Sequence, residues 1–286
     1  MKTNKLENRI TYFIVTLGLF LLNIKNLSIL STIFGIILAI LFILLFEKLN
    51  IHKFKLTKVI LFIISIIFMT FYLNKITYFI SDNILREYST ISISLSILFT
   101  ILILGNKGYH TIIKVILLAS YFITFFLILG ILFTIPYIEV GNLNIDFLKT
   151  NIFFQESLYY CFLLVYTYFL IYPISNTKFK PKDLIINGIY QIFTYLLTIS
   201  VLGTTLTNLY KYPYITILKK ISLIGFIERI EIIFSMNYLF CFYFLLLLSY
   251  YQIRNLLEMN LKKDKYLNLL LIFIALIIFF ISVAIF

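Results

Sequence analysis

The sequence predicts an all-α protein that crosses a membrane several times, and three observations support this fold class. Of the 286 residues, 62% are hydrophobic and only 13% are charged, which is too few polar side chains to cover a soluble surface. Apolar stretches of roughly 20 residues, the length of a helix that crosses the hydrocarbon core, recur from end to end. Lys and Arg collect in every second connection. We expect one integral-membrane domain over residues 1–286.

Nine apolar stretches define the predicted transmembrane helices. They are approximately Ile10–Ile24, Leu27–Phe46, Val59–Ile80, Tyr88–Leu104, Val115–Pro136, Ser157–Ser175, Leu184–Leu206, Ile232–Tyr250 and Tyr266–Phe286. The first is short, and no small-residue cleavage site follows it, so we interpret it as a retained span rather than a signal peptide. Lys75 interrupts the third stretch near its end, and we expect its side chain to extend toward the membrane surface.

The charge of the connections predicts the orientation of the chain. With the N-terminus in the cytoplasm, sixteen of the 24 Lys and Arg residues lie in inner segments and seven in outer ones. This bias agrees with the positive-inside rule. It also explains the net charge of +12 without a nucleic-acid partner.

The cysteines and histidines do not form a recognisable metal motif. Cys161 and Cys241 lie within apolar stretches, and His52 and His110 lie in separate basic loops. We therefore expect neither a metal site nor a cofactor.

Residues 207–231 form the most unusual connection, because they lie on the predicted outer side and yet contain Lys219 and Lys220. Apolar residues recur at helical spacing opposite the lysines; they are Ile217, Leu218, Ile221 and Ile224. This pattern predicts a short amphipathic helix that lies, partly lipid-facing, at the outer membrane interface.

Four residues of this connection are candidates for a hinge or a docking surface: Pro213, Gly225, Glu228 and Arg229. Pro213 is expected to start or bend the helix, and Gly225 permits a turn into the next span. Glu228 and Arg229 lie at the mouth of the eighth span, where a charge is tolerated better than at its centre. An ordinary helix start with acidic residues is the alternative interpretation.

The order of motifs in the last third of the chain resembles a known family. Leu202-Gly203 is followed by Tyr212-Pro213, a basic amphipathic segment and Gly225-Phe226-x-Glu228-Arg229. From about Lys180 to Gln252, this order resembles the B subunit of bacterial spore germinant receptors, the endospore germination permease family. That family in turn resembles the amino acid–polyamine–organocation permeases.

Two further segments are similar to the same family. Lys107–Lys114 resembles the segment that opens its fifth span, with His110 where an acidic residue is usual. Phe153–Pro173 resembles its sixth span, with Glu156 near an acidic position. Because the family usually has ten spans, the resemblance implies a permease-like bundle that lacks a tenth helix.

The resemblance also implies an inverted-repeat bundle whose first and sixth helices are broken near the membrane midplane. In such permeases the exposed backbone binds the amino and carboxylate groups of an amino acid. Thr16, Gly18, Gln155, Glu156 and Tyr160 are then the candidate substrate-binding residues. Ordinary helix packing is the alternative for each, above all for Gly18.

The implied function is that of a nutrient-sensing, permease-like subunit and not of an enzyme. In the bacterial cell membrane or inner spore membrane, it would bind a small nutrient such as an amino acid and trigger germination through A-type and C-type receptor subunits. A secondary amino-acid transporter, coupled to protons, is the alternative. A membrane enzyme that modifies lipids agrees less well with the sequence, since no histidine–acid pair recurs. A shortened relative of the family that has lost its function is a further alternative.

Overall fold

The computed structural model describes residues 5–24, 27–142, 152–175, 177–220, 230–258 and 264–284, and every regular element in this part of the chain is a helix. The α-helices are α1 (Lys5–Asn23), α2 (Ile29–Lys48), α3 (Lys55–Asn83), α4 (Thr90–Gly105), α5 (Tyr109–Thr134), α6 (Phe153–Ser175), α7 (Pro181–Leu209), α8 (Pro213–Lys220), α9 (Ile230–Glu258) and α10 (Asp264–Ala284). Short 3-10 helices cover Ile51–Lys53, Ile135–Tyr137 and Val140–Asn142. The prediction of a helical protein is confirmed over these residues.

Among the described helices, seven are long and apolar enough to cross a membrane: α2, α3, α5, α6, α7, α9 and α10. The apolar helix α4 has 16 residues, and α1 carries Lys5, Glu7 and Arg9 in its first turns. These seven helices confirm the prediction of a multi-pass membrane protein. The count of nine spans stays a prediction.

Burial divides the helices into an inner and an outer layer. In an apolar stretch of 18 residues from each helix, 67% of the residues are buried in α6, 61% in α7 and 72% in α9. The corresponding share is only 28% in α5 and in α10. The outer helices present apolar side chains to lipid, whereas the inner ones carry amides and hydroxyls that lipid does not solvate. The core therefore lies where α1, α6, α7 and α9 pack together.

The first helix defines the two ends of the bundle, which we call the Arg9 end and the Asn23 end. At the Arg9 end, Arg9 pairs with Asp183 at the start of α7. At the Asn23 end, Asn23 Oδ1 accepts a hydrogen bond from the Tyr159 hydroxyl in α6. Therefore α1 and α7 run in the same direction and α6 runs in the opposite direction.

The prediction that the first and sixth helices are broken is wrong. The first helix is α-helical through Thr16 and Gly18, and the sixth is α-helical from Gln155 through Tyr160. An intact helix satisfies its own backbone groups, which a membrane interior cannot do. The break lies instead in α7 at Gly203, where φ is 76° and ψ is 164°, a conformation that only glycine adopts readily.

The short helix α8 is held by protein contacts on its apolar side. Tyr214, Ile215, Ile217 and Leu218 are at most 3% exposed, because α8 packs against α5, α7 and α9. The described part of its apolar face therefore does not lie on lipid as the sequence predicted, whereas Ile221 and Ile224 lie outside the described residues. Pro213 is its first residue, a position where the missing N–H costs no hydrogen bond.

Three of the predicted hinge residues, Gly225, Glu228 and Arg229, lie outside the described residues. The described part of their connection is tied to the end of α3. Lys219 Nζ donates to Asn83 Oδ1 at 2.9 Å, and Lys211 Nζ lies 2.9 Å from Asp82 Oδ2.

Gly18 lies at a close approach of α1 and α9, and its replacement tests that contact. A Cβ at this position would lie 2.6 Å from Cys241 Cβ, so Gly18→Ala should lower the free energy of unfolding by about 1–3 kcal/mol through overpacking. A thermal-shift assay in detergent should show a lower Tm. Gly141→Ala is the matched control, because a Cβ there has no neighbour within 4 Å. Equal Tm values for the two variants would contradict the described packing.

Candidate functional site

Four polar side chains meet inside the bundle where α1, α6 and α7 touch, and we call them the polar cluster. They are Thr16, Tyr160, Asn187 and Gln191, each at most 1% exposed. The Tyr160 hydroxyl donates to Gln191 Oε1, and Gln191 Nε2 donates to the Thr16 carbonyl at 3.3 Å. Asn187 Nδ2 donates to Thr16 Oγ1. One hydrogen-bonded set thus joins three helices.

The seventh helix contributes a stripe of polar residues to this place. Asn187, Gln191, Thr194 and Thr198 follow one another at intervals of three or four residues, which puts them on one face of a helix. All four are buried, since amide side chains in a membrane turn toward protein. Asn187 Oδ1 has no hydrogen-bond partner among the described residues. The cluster therefore contains an unused acceptor.

Contacts between α1 and α6 enclose the cluster on both sides along the helix axis. On the side of the Arg9 end, Thr16 Oγ1 donates to the Tyr12 carbonyl at 2.7 Å, and the Tyr12 hydroxyl donates to the Leu164 carbonyl at 3.3 Å. On the other side, the Phe20 ring packs edge-on against Tyr160 at 6.1 Å. The cluster is thereby shielded from solvent.

An ion pair and an aromatic layer lie between the cluster and the Arg9 end. Arg9 Nε is 3.1 Å from Asp183 Oδ2, and the Asp183 side chain is 8% exposed. The Tyr172 ring lies 5.6 Å from that of Tyr12 and 5.4 Å from that of Phe179, both edge-on. Access to the cluster from this end requires these groups to move apart.

The electrostatic character of the cluster differs from that of the Arg9 end. The cluster consists of neutral amides and hydroxyls. At the Arg9 end, repulsion from Lys5, and then from Arg9 and Lys182, lowers the pKa of the partly exposed Lys180 side chain. Positive charge is therefore concentrated at this end of the bundle, while the four side chains of the polar cluster carry no charge.

The break in α7 is stabilised by the segment that follows α5. A break leaves carbonyls of the preceding turn without their helical donors. The Ser200 carbonyl accepts instead from the Glu139 N–H at 3.0 Å and from Asn142 Nδ2 at 3.3 Å. Because these donors come from another segment, the direction of α7 beyond Gly203 depends on a contact outside the helix.

A second polar contact lies near the Asn23 end. Asn23 Oδ1 accepts from the Tyr159 hydroxyl at 3.1 Å and from Lys75 Nζ at 3.5 Å. The Lys75 ammonium also lies 4.5 Å from the centre of the Phe71 ring, an attractive cation–π distance. Asn23 and Phe71 therefore hold the Lys75 ammonium near the Asn23 end of the bundle. The sequence predicts instead that this side chain extends toward the membrane surface.

Two of the predicted binding residues, Thr16 and Tyr160, are brought together in the polar cluster. The other two members, Asn187 and Gln191, were not predicted. Their signal was present in the sequence, because two amides four residues apart in an apolar span lie on one helix face. The sequence alone does not show which helix these two amides face, because that depends on tertiary packing.

The remaining predicted binding residues lie elsewhere. Gly18 packs against Cys241 of α9. Gln155 is exposed. Glu156 Oε2 accepts from the Ser28 N–H at 3.2 Å and so stabilises the start of α2, where the helix dipole favours a negative charge.

Comparison with protein-family models, curated proteins and solved structures gives no match for this chain.

The hydrogen bonds of Gln191 can be used to test whether the polar cluster forms as described. Gln191→Leu leaves the buried Tyr160 hydroxyl without its acceptor, so the free energy of unfolding should fall by about 1–2 kcal/mol. The double variant Tyr160→Phe/Gln191→Leu should recover part of the loss, because it no longer buries an unpaired hydroxyl. Thermal unfolding in detergent measures both. Gln155→Leu, at an exposed position of α6, should leave the Tm unchanged; a loss as large as that of Gln191→Leu would refute the assignment.

Gly203 offers a test of the break in α7. An alanine at φ 76° is strained, so Gly203→Ala should cost about 1–3 kcal/mol of stability or straighten α7. If α7 straightens, Ser200 regains a helical donor, and the Glu139 amide should exchange its hydrogen faster. Hydrogen exchange with mass spectrometry detects this change. Unaltered stability and exchange would show that α7 is continuous.

Proposed function

We propose that this chain is a permease-like membrane protein that binds a small nutrient, such as an amino acid, at the polar cluster. The observation that carries the proposal is the meeting of four buried, neutral polar side chains from three helices. Such groups are costly inside a membrane and are characteristic of ligand sites there. The order of motifs from Tyr212-Pro213 to Gly225-Phe226-x-Glu228-Arg229 supports the further proposal that it is the B-type subunit of a spore germinant receptor.

The chemistry of the cluster favours a ligand whose charges cancel. Its amides supply both donors and acceptors, and Asn187 Oδ1 is an acceptor without a partner among the described residues. A zwitterionic amino acid offers an ammonium group to such acceptors and a carboxylate to amide N–H donors. In the proposal, the ligand replaces the bonds that Gln191 and Asn187 now make to Tyr160 and Thr16.

Replacement of these bonds provides a route for a signal. The bonds bridge α1, α6 and α7, so their exchange changes the spacing of those helices. Beyond Gly203, α7 leads into α8 and the rest of residues 207–231. In the proposal, this connection, with Pro213, Gly225, Glu228 and Arg229, passes the change to A-type and C-type subunits in the inner spore membrane, with the Arg9 end in the cytoplasm.

Spore germination tests this function directly. In a strain without another B-type receptor subunit, deletion of the gene should abolish the response to at least one nutrient of an amino-acid panel. Gln191→Leu should reproduce that loss because it removes hydrogen-bonding groups from the site, whereas Gln155→Leu should germinate normally. Protein levels in the spore membrane must be equal. An unchanged response to every nutrient after deletion would refute the proposal.

A secondary amino-acid transporter is a second candidate, and the break in α7 favours it, because broken helices are typical of alternating-access transporters. Uptake of labelled amino acids into proteoliposomes distinguishes the two functions. A sensor should bind the nutrient without accumulating it inside the vesicles. Accumulation that Gln191→Leu abolishes and Gln155→Leu preserves would establish transport.

A further inference from the structure

Two clefts open next to each other at the Arg9 end, and Lys53 of the 3-10 helix lines both. The first has a volume of about 550 Å³ and lies between the ends of α2 and α6, with Lys48 and Lys178 on its rim. The second has a volume of about 400 Å³ and lies between the start of α3 and the end of α9, with Lys55 and Lys58 on its rim. We call these five residues the lysine collar.

The turn between α2 and α3 brings the lysine collar together. Asn50 adopts the left-handed conformation with φ 50° and ψ 39°, which ends α2 and lets the 3-10 helix begin at once. The Lys53 N–H donates to the Asn50 carbonyl at 3.0 Å. Since α2 packs mainly on α6 and α3 packs mainly on α9, Lys53 stands at the junction of two helix pairs.

Negative charge does not balance the collar within the clefts. The one carboxylate among the described lining residues belongs to Glu47 and offsets only one of the five positive charges. Its Oε1 accepts from the Phe179 N–H at 2.9 Å and from the Tyr168 hydroxyl at 3.5 Å. All five lysines of the collar are exposed or partly exposed. The rim therefore attracts an anion.

Two lysines of the collar occupy positions that a folded helix disfavours. Lys55 is the first residue of α3 and Lys58 follows one turn later, and no acidic residue stands in that turn. The helix dipole places partial positive charge there, so cations are unfavourable and an anion is stabilising. An anion bound at the collar relieves this repulsion.

Apolar surface continues from both clefts toward the middle of the membrane. Leu44 of the first cleft is 41% exposed and Val59 of the second is 50% exposed. Both belong to helices long enough to cross a membrane, so this surface faces hydrocarbon chains. A rim of ammonium groups above an apolar wall matches the two halves of a phospholipid, whereas a soluble anion would contact the rim alone.

We propose that the lysine collar binds the phosphate headgroup of an anionic phospholipid, whose acyl chains lie against α2 and α3. Basic sites at the ends of membrane helices attract such lipids electrostatically, and the lysine stems cover apolar surface while their ammonium groups reach the phosphate. The bound lipid neutralises the collar and fixes the α2–α3 turn at the headgroup level.

The test uses the full chain purified in a mild detergent with added phosphatidylglycerol, phosphatidylcholine or inorganic phosphate. Native mass spectrometry measures the lipid-bound fraction, and thermal unfolding measures the shift in Tm. Phosphatidylglycerol should bind and raise the Tm, while phosphatidylcholine and inorganic phosphate should not. Lys48→Gln/Lys53→Gln/Lys178→Gln should weaken phosphatidylglycerol binding about 100-fold, because each lysine near an anionic lipid contributes roughly fivefold.

The matched control is Lys107→Gln/Lys114→Gln/Lys182→Gln, which removes three exposed lysines outside both clefts. It should bind phosphatidylglycerol within about twofold of the unmodified chain. Equal weakening in the two triple variants would show a general surface attraction and overturn the site. An equal Tm shift with inorganic phosphate would show a soluble-anion site and overturn the lipid assignment. Both variants alter exposed side chains, and their Tm values in phosphatidylcholine report whether each is folded.

Discussion

The hydrocarbon interior of a membrane offers no hydrogen-bond partner, so the polar groups that this chain carries inside depend on the protein for their hydrogen bonds. Short side chains do so locally: the hydroxyls of Thr70 and Thr77 donate to the carbonyls four residues earlier in α3. Long side chains reach another helix, as the Tyr12 hydroxyl reaches the Leu164 carbonyl. A long polar side chain that bonds to another helix must have protein around it. This requirement distinguishes the inner helices, which carry such side chains, from the outer ones.

The same requirement explains where the chain can break. Ser200 loses a helical donor at Gly203, and the Glu139 N–H and the Asn142 amide replace it. At Gly18 the neighbour is the side chain and backbone of Cys241 in an intact helix, whose N–H groups are already used. A break at Gly18 would leave carbonyls unpaired, so α1 stays helical.

Much of the fold could be predicted from the sequence, because the length of an apolar stretch nearly fixes the position of a membrane helix. The second stretch was placed at Leu27–Phe46 and is observed at Ile29–Lys48. Helix ends in the aqueous region could not be predicted in the same way. The last turns of α9 extend past the predicted Tyr250, and an ion pair between Arg254 and Glu258 at 2.6 Å supports them. Within the polar cluster, Thr16 and Tyr160 could be singled out from the sequence, but their contacts with α7 could not, since hydropathy does not tell which helix faces a polar residue.

The polar cluster and the lysine collar are separate in chemistry but share one rigid element. Tyr160 lies in the cluster and Tyr168 lines the first cleft, about 12 Å apart along α6 at 1.5 Å per residue. Because α6 is unbroken between them, a rotation of α6 at the cluster also moves the wall of the cleft. If the proposed nutrient and the proposed lipid favour different orientations of α6, they must then weaken each other's binding by the same factor, since coupling between two sites is reciprocal. Ligand affinity at the neutral interior site would in that case depend on the anionic lipid content of the membrane, although no lipid touches the site.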